Sequence, residues 1–134
     1  MATVAEVMTT DVLAVDPTAS IGEAAEKMMD GGVGAVVVME DMVRMVGIIT
    51  ERDLLRAVAQ RARAAEARVR QWMTESVITI EPETTVEEAA KMMFDRNFRH
   101  LPVSKDGRLL GIVSLRRLSQ YEFEHAKESA APAH

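Results

Sequence analysis

The sequence predicts an α/β (α+β) fold made of two tandem β-α-β-β-α units packed with pseudo-two-fold symmetry. Three observations carry that reading. The chain repeats itself at a spacing of 65 residues, the same capping signal opens a helix in both copies, and a hairpin signal follows each helix. At 134 residues the chain has room for one ordinary domain or two small halves, not for a catalytic domain with a regulatory one beside it.

The repeat comes first because missing it would miscall the fold. Val4, Met8, Thr9, Val12 and Pro17 fall on Val69, Met73, Thr74, Val77 and Pro82. Glu23, Ala24, Ala25, Met28 and Asp30 fall on Glu88, Ala89, Ala90, Met93 and Asp95. After a one-residue deletion near Asp41–Val43, Gly47-Ile48-Ile49-Thr50 falls on Gly111-Ile112-Val113-Ser114. The copies are expected at 1–65 and 66–123, followed by a flexible tail at 124–134.

Each copy opens with a short strand, Val12–Val15 and Val77–Ile80. It stops at Asp16-Pro17 or Glu81-Pro82, since proline supplies no ladder donor. The helix after it starts with a capping box, Ser20 with Glu23 and Thr85 with Glu88. Gly31-Gly32 and Asn97, suited to left-handed backbone, close the two helices. Hairpins follow, Ala35–Met39 with Arg44–Ile48 and His100–Ser104 with Arg108–Ile112, turning at Glu40-Asp41 and Asp106-Gly107. A last helix begins at Thr50 or Ser114. The alanine- and arginine-rich stretch Gln60–Arg70 reads as a continuation of the first of these helices that then turns into the entry segment of the second copy.

Composition narrows the function. Hydrophobic residues make up 48% and charged ones 28%, a globular balance. With no cysteine and three histidines, thiolate metal sites, disulfides and cysteine nucleophiles are excluded and a histidine metal site is disfavoured. The net charge of −5 offers no general attraction for nucleic acid, and Arg56, Arg61, Arg63, Arg68 and Arg70 read as a solvated helix face. The first ten residues do not resemble a signal peptide, and no apolar run approaches the ~20 residues of a membrane helix. A cytoplasmic protein without membrane contact is expected. Neither a Walker A, a Gly-x-Ser-x-Gly nor a Gly-x-Gly-x-x-Gly motif occurs, so an enzyme is not expected.

The informative segment is Gly47-Ile48-Ile49-Thr50-Glu51-Arg52-Asp53. A strand ends and a helix begins at Thr50, aiming backbone N–H groups and the positive dipole end outward. Thr50 offers a hydroxyl, and Asp53 can accept from the paired hydroxyls of a ribose. The same two residues also read as a plain helix cap.

The duplicated unit, ending in Gly-h-h-Thr/Ser-x-x-Asp with h apolar, resembles the cystathionine-β-synthase (CBS) domain, and the tandem pair resembles a Bateman module. The resemblance covers about residues 3–122. It implies adenosine ligands (AMP, ADP or ATP, with S-adenosylmethionine or NAD as further options) in clefts between the copies, no resident cofactor, and homodimers. It implies that Thr50 and Asp53 hold phosphate and ribose, that Thr10, Asp11 and Val12 give backbone contacts to adenine, and that Val33 with Gly34 covers the base. Arg99, His100 and Arg116 would meet the phosphates. The second copy departs from the pattern. It reads Ser114-Leu115-Arg116-Arg117, with arginine where the acceptor belongs. Its cleft is expected to be empty or to hold a different anion.

The expected function is a stand-alone sensor that binds an adenosine nucleotide and signals by conformational change to a protein target the sequence does not identify. The alternative is a structural dimerisation module that binds no nucleotide. Met28, Met29, Leu54, Leu55, Met92, Met93 and Phe94 are too many for one buried face, which points to a homodimer. Trp72 is expected to pack rather than to stack on a base.

Overall fold

The computed structural model describes residues 2–130. In chain order the elements are α1 (Val4–Val7), β1 (Ala14–Val15), α2 (Ile21–Gly31), β2 (Ala35–Glu40), β3 (Arg44–Thr50), α3 (Glu51–Ala59), α4 (Val69–Trp72), α5 (Val86–Arg96), β4 (His100–Lys105), β5 (Arg108–Ser114) and α6 (Leu115–Ala130). They divide into two compact units that do not coincide with the sequence copies. One is Val12–Val77; the other joins the residues up to Asp11 to those from Ile78 onward.

The 12–77 unit holds a three-stranded sheet in the order β1-β2-β3, with β1 parallel to β2 and β2 antiparallel to β3. Val15, Ile21, Ala24, Met28, Val36, Val38, Ile49, Ala57 and Val69 form its core. The other unit has the hairpin β4-β5 and a core of its own around Val4, Val7, Val86, Met93, Leu101, Val113 and Leu118. Both hairpins carry a bulge at the matching step, Val38/Met39 and Val103/Ser104.

The expected strand Val77–Ile80 shrinks to a single parallel bridge, Ile80 with Val103. That bridge is the image of Val15 with Val38, and the neighbouring residue explains the loss. In the first copy the Val37 N–H donates to the Leu13 carbonyl at 3.1 Å. Pro102 stands in the place of Val37 and has no N–H to give.

Each hairpin pairs with the lead-in segment of the other sequence copy. Thr9 pairs with Ile112 on β5, and Thr74 pairs with Ile48 on β3. The glycines beside these pairs admit the close approach. A Cβ on Gly47 would lie 2.7 Å from the Met73 sulfur and 2.8 Å from the Thr74 carbonyl oxygen. On Gly111 it would lie 2.7 Å from both the Met8 sulfur and the Thr9 carbonyl oxygen.

Three sequence expectations need correction. First, α3 does not run on toward Arg70: it ends at Ala59, and Arg61 takes a left-handed φ of 65°. The stretch after it serves α2 instead, where Ala67 and Ala64 accept from the first N–H groups, those of Ile21 and Gly22. Second, the capping box is complete at Thr85–Glu88 but only half made at Ser20, whose hydroxyl accepts from the Glu23 N–H while its own N–H does not donate to the Glu23 carboxylate. Third, the tail continues α6 as far as Ala130, with Arg117 reaching Glu124 at 3.6 Å and Tyr121 stacked on His125. Residues 131–134 of the expected tail lie outside the described residues.

Candidate functional site: the Thr50–Asp53 turn

The apolar run Ile48-Ile49 buries the end of β3, and Thr50 breaks from extended to helical backbone with φ −118° and ψ 168°. Asp53 follows one turn into α3. It is only 5% exposed and is the one ionisable side chain in the buried class among the described residues. A buried carboxylate is costly unless its lone pairs are used. Here Oδ2 accepts from the Thr50 N–H at 2.9 Å and from the Thr50 hydroxyl at 3.2 Å, and the Asp53 N–H donates back to Thr50 Oγ1 at 3.4 Å. Oδ1 faces the Arg56 guanidinium at 3.3 Å.

The cap reading of Thr-x-x-Asp is therefore realised, and it does not exhaust the carboxylate. An ionised carboxylate offers about four acceptor positions. Thr50 takes two and Arg56 one, which leaves one position open and a second that hydroxyl donors reach by displacing Arg56 from Oδ1. Opposite Thr50 in the ladder is Ala35, and the Glu51 N–H donates to the Gly34 carbonyl at 3.0 Å. The structure thus brings Val33, Gly34, Thr50 and Asp53 to one end of the β2-β3 hairpin. Val33 is exposed there. Val12 begins this unit, whereas Thr10 and Asp11 belong to the other.

The remaining predicted residues form the corresponding corner of that other unit. His100 pairs with Ser114, and the Leu115 N–H donates to the Arg99 carbonyl at 2.8 Å, as Glu51 does to Gly34. Ser114 accepts from the Arg117 N–H at 3.0 Å, and nothing plays the part of Asp53. Arg99 and Arg116 are exposed.

Sequence reasoning overlooked Arg56, which it placed on a solvated face. Beyond its contact with Asp53, the guanidinium donates to the Trp72 carbonyl at 3.1 Å and lies 5.7 Å from the centre of the Trp72 ring. The signal was present as Asp53-x-x-Arg56, an i,i+3 pair of opposite charge. Trp72 packs against the core of its unit, as expected. Among the described residues no cluster of histidine and carboxylate side chains could hold a metal ion, and no helix is long and apolar enough to cross a membrane.

The CBS domain profile matches residues 4–60 and again 69–124. The chain belongs to the CBS domain family. Among solved structures, a CBS-domain containing protein from Agrobacterium tumefaciens is 36% identical with a TM-score of 0.85, covering 90% of this chain and 98% of its own. The CBS domain pair of protein MJ0100, solved in complex with 5′-methylthioadenosine and S-adenosyl-L-methionine, is 26% identical with a TM-score of 0.85 over 92% of this chain and 98% of its own. A CBS domain protein from Pyrobaculum aerophilum complexed with AMP is 31% identical with a TM-score of 0.79, covering 86% and 88%. The last two of these relatives were thus solved with adenosine-derived ligands bound.

Proposed function

We propose that this CBS pair is a cytoplasmic regulatory module, not an enzyme, that binds an adenosine nucleotide at the Thr50–Asp53 turn and signals its occupancy to a protein partner. The observation that carries the reading is the buried Asp53 carboxylate, fixed by Thr50 and keeping acceptor capacity for a ribose diol. The adenosine ligands of the two structural relatives support it. In this reading Val33 and Gly34 cover the base, with Thr10, Asp11 and Val12 supplying backbone contacts. Arg99, His100 and Arg116 read the phosphates. Charge-assisted contacts of that kind contribute about 1.5–3 kcal/mol each, enough to hold a phosphate on an acidic protein.

The test is calorimetry with AMP and with adenosine. One AMP per chain, and adenosine binding at least about tenfold more weakly, are expected from the loss of a single charge-assisted contact. Equal affinity for the two would remove the phosphate role of Arg99, His100 and Arg116. Mass spectrometry of the small molecule released on denaturation identifies the nucleotide.

Self-association is part of the same proposal. Met28 and Met93 are buried and Leu54 and Met92 half-buried, but Met29 and Phe94 are 82% and 85% exposed and Leu55 is exposed as well. Apolar side chains left out on α2, α3 and α5 favour a homodimer. Light scattering that gave only monomer mass, with and without AMP, would contradict it.

A further inference from the structure

Asp53, Arg56 and Trp72 form one connected chain of contacts within the 12–77 unit. A guanidinium is a rigid planar fork, so its two arms are not independent of each other. One arm lies 3.3 Å from Asp53 Oδ1, and the other donates to the Trp72 carbonyl at 3.1 Å. The plane that spans these two acceptors also sets how the cation lies beside the indole, 5.7 Å from the ring centre. Asp53 Oδ2 is committed to Thr50, so Oδ1 is the oxygen left to meet an incoming hydroxyl pair. Any donor that reaches Oδ1 competes with, or re-aims, the same arm of Arg56.

We propose that Arg56 is a positioning residue that aims Asp53 Oδ1 and passes the occupancy of that oxygen to Trp72. The proposal rests on the reading of Asp53 as the ribose acceptor. When a diol donates to Oδ1, the fork turns, and its grip on the Trp72 carbonyl and its place beside the indole change together. The segment that receives this change is anchored to the site from its far side, because Thr74 exchanges backbone bonds with Ile48 on β3. Ligand capture at α3 is thereby read out at α4.

Trp72 is the only tryptophan of the chain, so its fluorescence reports on this one place. AMP titrations of the full chain should change the emission of the wild type. Arg56→Gln should bind AMP roughly tenfold more weakly and show no change in emission even at saturation. Arg56→Lys keeps a charge for Asp53 but has no second arm for the Trp72 carbonyl. It should recover most of the affinity and not the emission change, a split that a purely structural role would not produce. A full emission change in saturated Arg56→Gln overturns the coupling.

A ligand-free arm separates this proposal from the reading beneath it. Asp53→Asn keeps an acceptor for the Thr50 N–H but has no charge for Arg56. It should alter acrylamide quenching of Trp72 in the wild-type background and have no such effect in Arg56→Gln. If the wild type binds no AMP, the nucleotide reading falls. If Asp53→Asn leaves the quenching of Trp72 unchanged, the Asp53–Arg56–Trp72 link itself is wrong, whatever AMP does.

Discussion

Asp53 and Arg117 sit at the same step of the same helix in two copies of one motif, and their surroundings differ more than the sequences around them do. On the first copy the strand ends Gly-Ile-Ile-Thr, and on the second Gly-Ile-Val-Ser; both chains then turn into a helix whose first N–H is taken by the residue before the preceding hairpin. At Asp53 the helix start closes on itself through a complete capping box with a buried carboxylate. At Arg117 only the Ser114 hydroxyl accepts, and the side chain runs out to Glu124. The shared frame is set by apolar strands and paired glycines. The difference rests on one side chain with acceptors and one without. A duplicated scaffold can therefore keep its architecture in both halves while a buried acceptor is present in one.

The largest expected effect breaks this comparison at its centre. Asp53→Ala should weaken AMP binding by about a hundredfold, since two charge-assisted bonds to ribose hydroxyls are worth about 3 kcal/mol together. Arg117→Ala should leave the affinity within about twofold, the scale of a distant surface change below 0.5 kcal/mol. Calorimetry on both variants decides it; comparable losses would mean that the two corners share the ligand equally.

Stability sharpens the other half of the comparison, the shared frame. Gly47→Ala and Gly111→Ala each push a Cβ to within 2.8 Å of a backbone carbonyl or a methionine sulfur. Each should cost about 2 kcal/mol in denaturant melts, the usual scale for overpacking. The prediction is of equality as much as of size. Values differing by more than about 1 kcal/mol would show that the two lead-in segments are not held alike.

The smallest effect concerns the caps of α2 and α5. The hydroxyl of Thr85 and then its backbone N–H hold the Glu88 carboxyl below its usual range. A depressed folded value means that the carboxylate stabilises the fold above its unfolded pKa of about 4.3, with the contribution lost as pH falls through the lower folded value. Glu88→Gln should melt slightly lower at pH 7 and converge with the wild type in thermal melts as the pH drops below 4. A gap that widens in acid would have the wrong sign. No matching carboxylate bond is made at Ser20, so Glu23→Gln should lower the melting temperature at pH 7 by less than Glu88→Gln does.

Much of the fold was legible because its signals are local. Asp106-Gly107 turns with both φ values positive, and Gly32 and Asn97 close their helices in the left-handed region. What escaped was set by partners distant in sequence. Nothing near Gln60 announces that Ala64 and Ala67 will be drawn to the first turn of α2. Pro102 deletes a bond that only becomes visible once Val37 is seen donating to Leu13. At the site, Thr50 and Asp53 stood out through their motif. Arg56 did not, because in a stretch with four further arginines its charge read as solvation, and only geometry ties it to Trp72. Gly34 was chosen for the base, and its placement rests on a carbonyl that caps α3, a role side-chain identity does not disclose.

The lead-in segments also fix an order of assembly. The 12–77 unit is continuous, so every strand and helix it needs has been made once Val77 has left the ribosome. The other unit is split, and Val4–Thr9 must wait while more than half of the chain is synthesised before β5 exists to receive Thr9. With domains generally folding as units during synthesis, at about 5–20 residues per second, the half that carries Asp53 can be folded several seconds before its twin has a complete sheet. In that interval Val4 and Val7 have been made but have no complete core to enter.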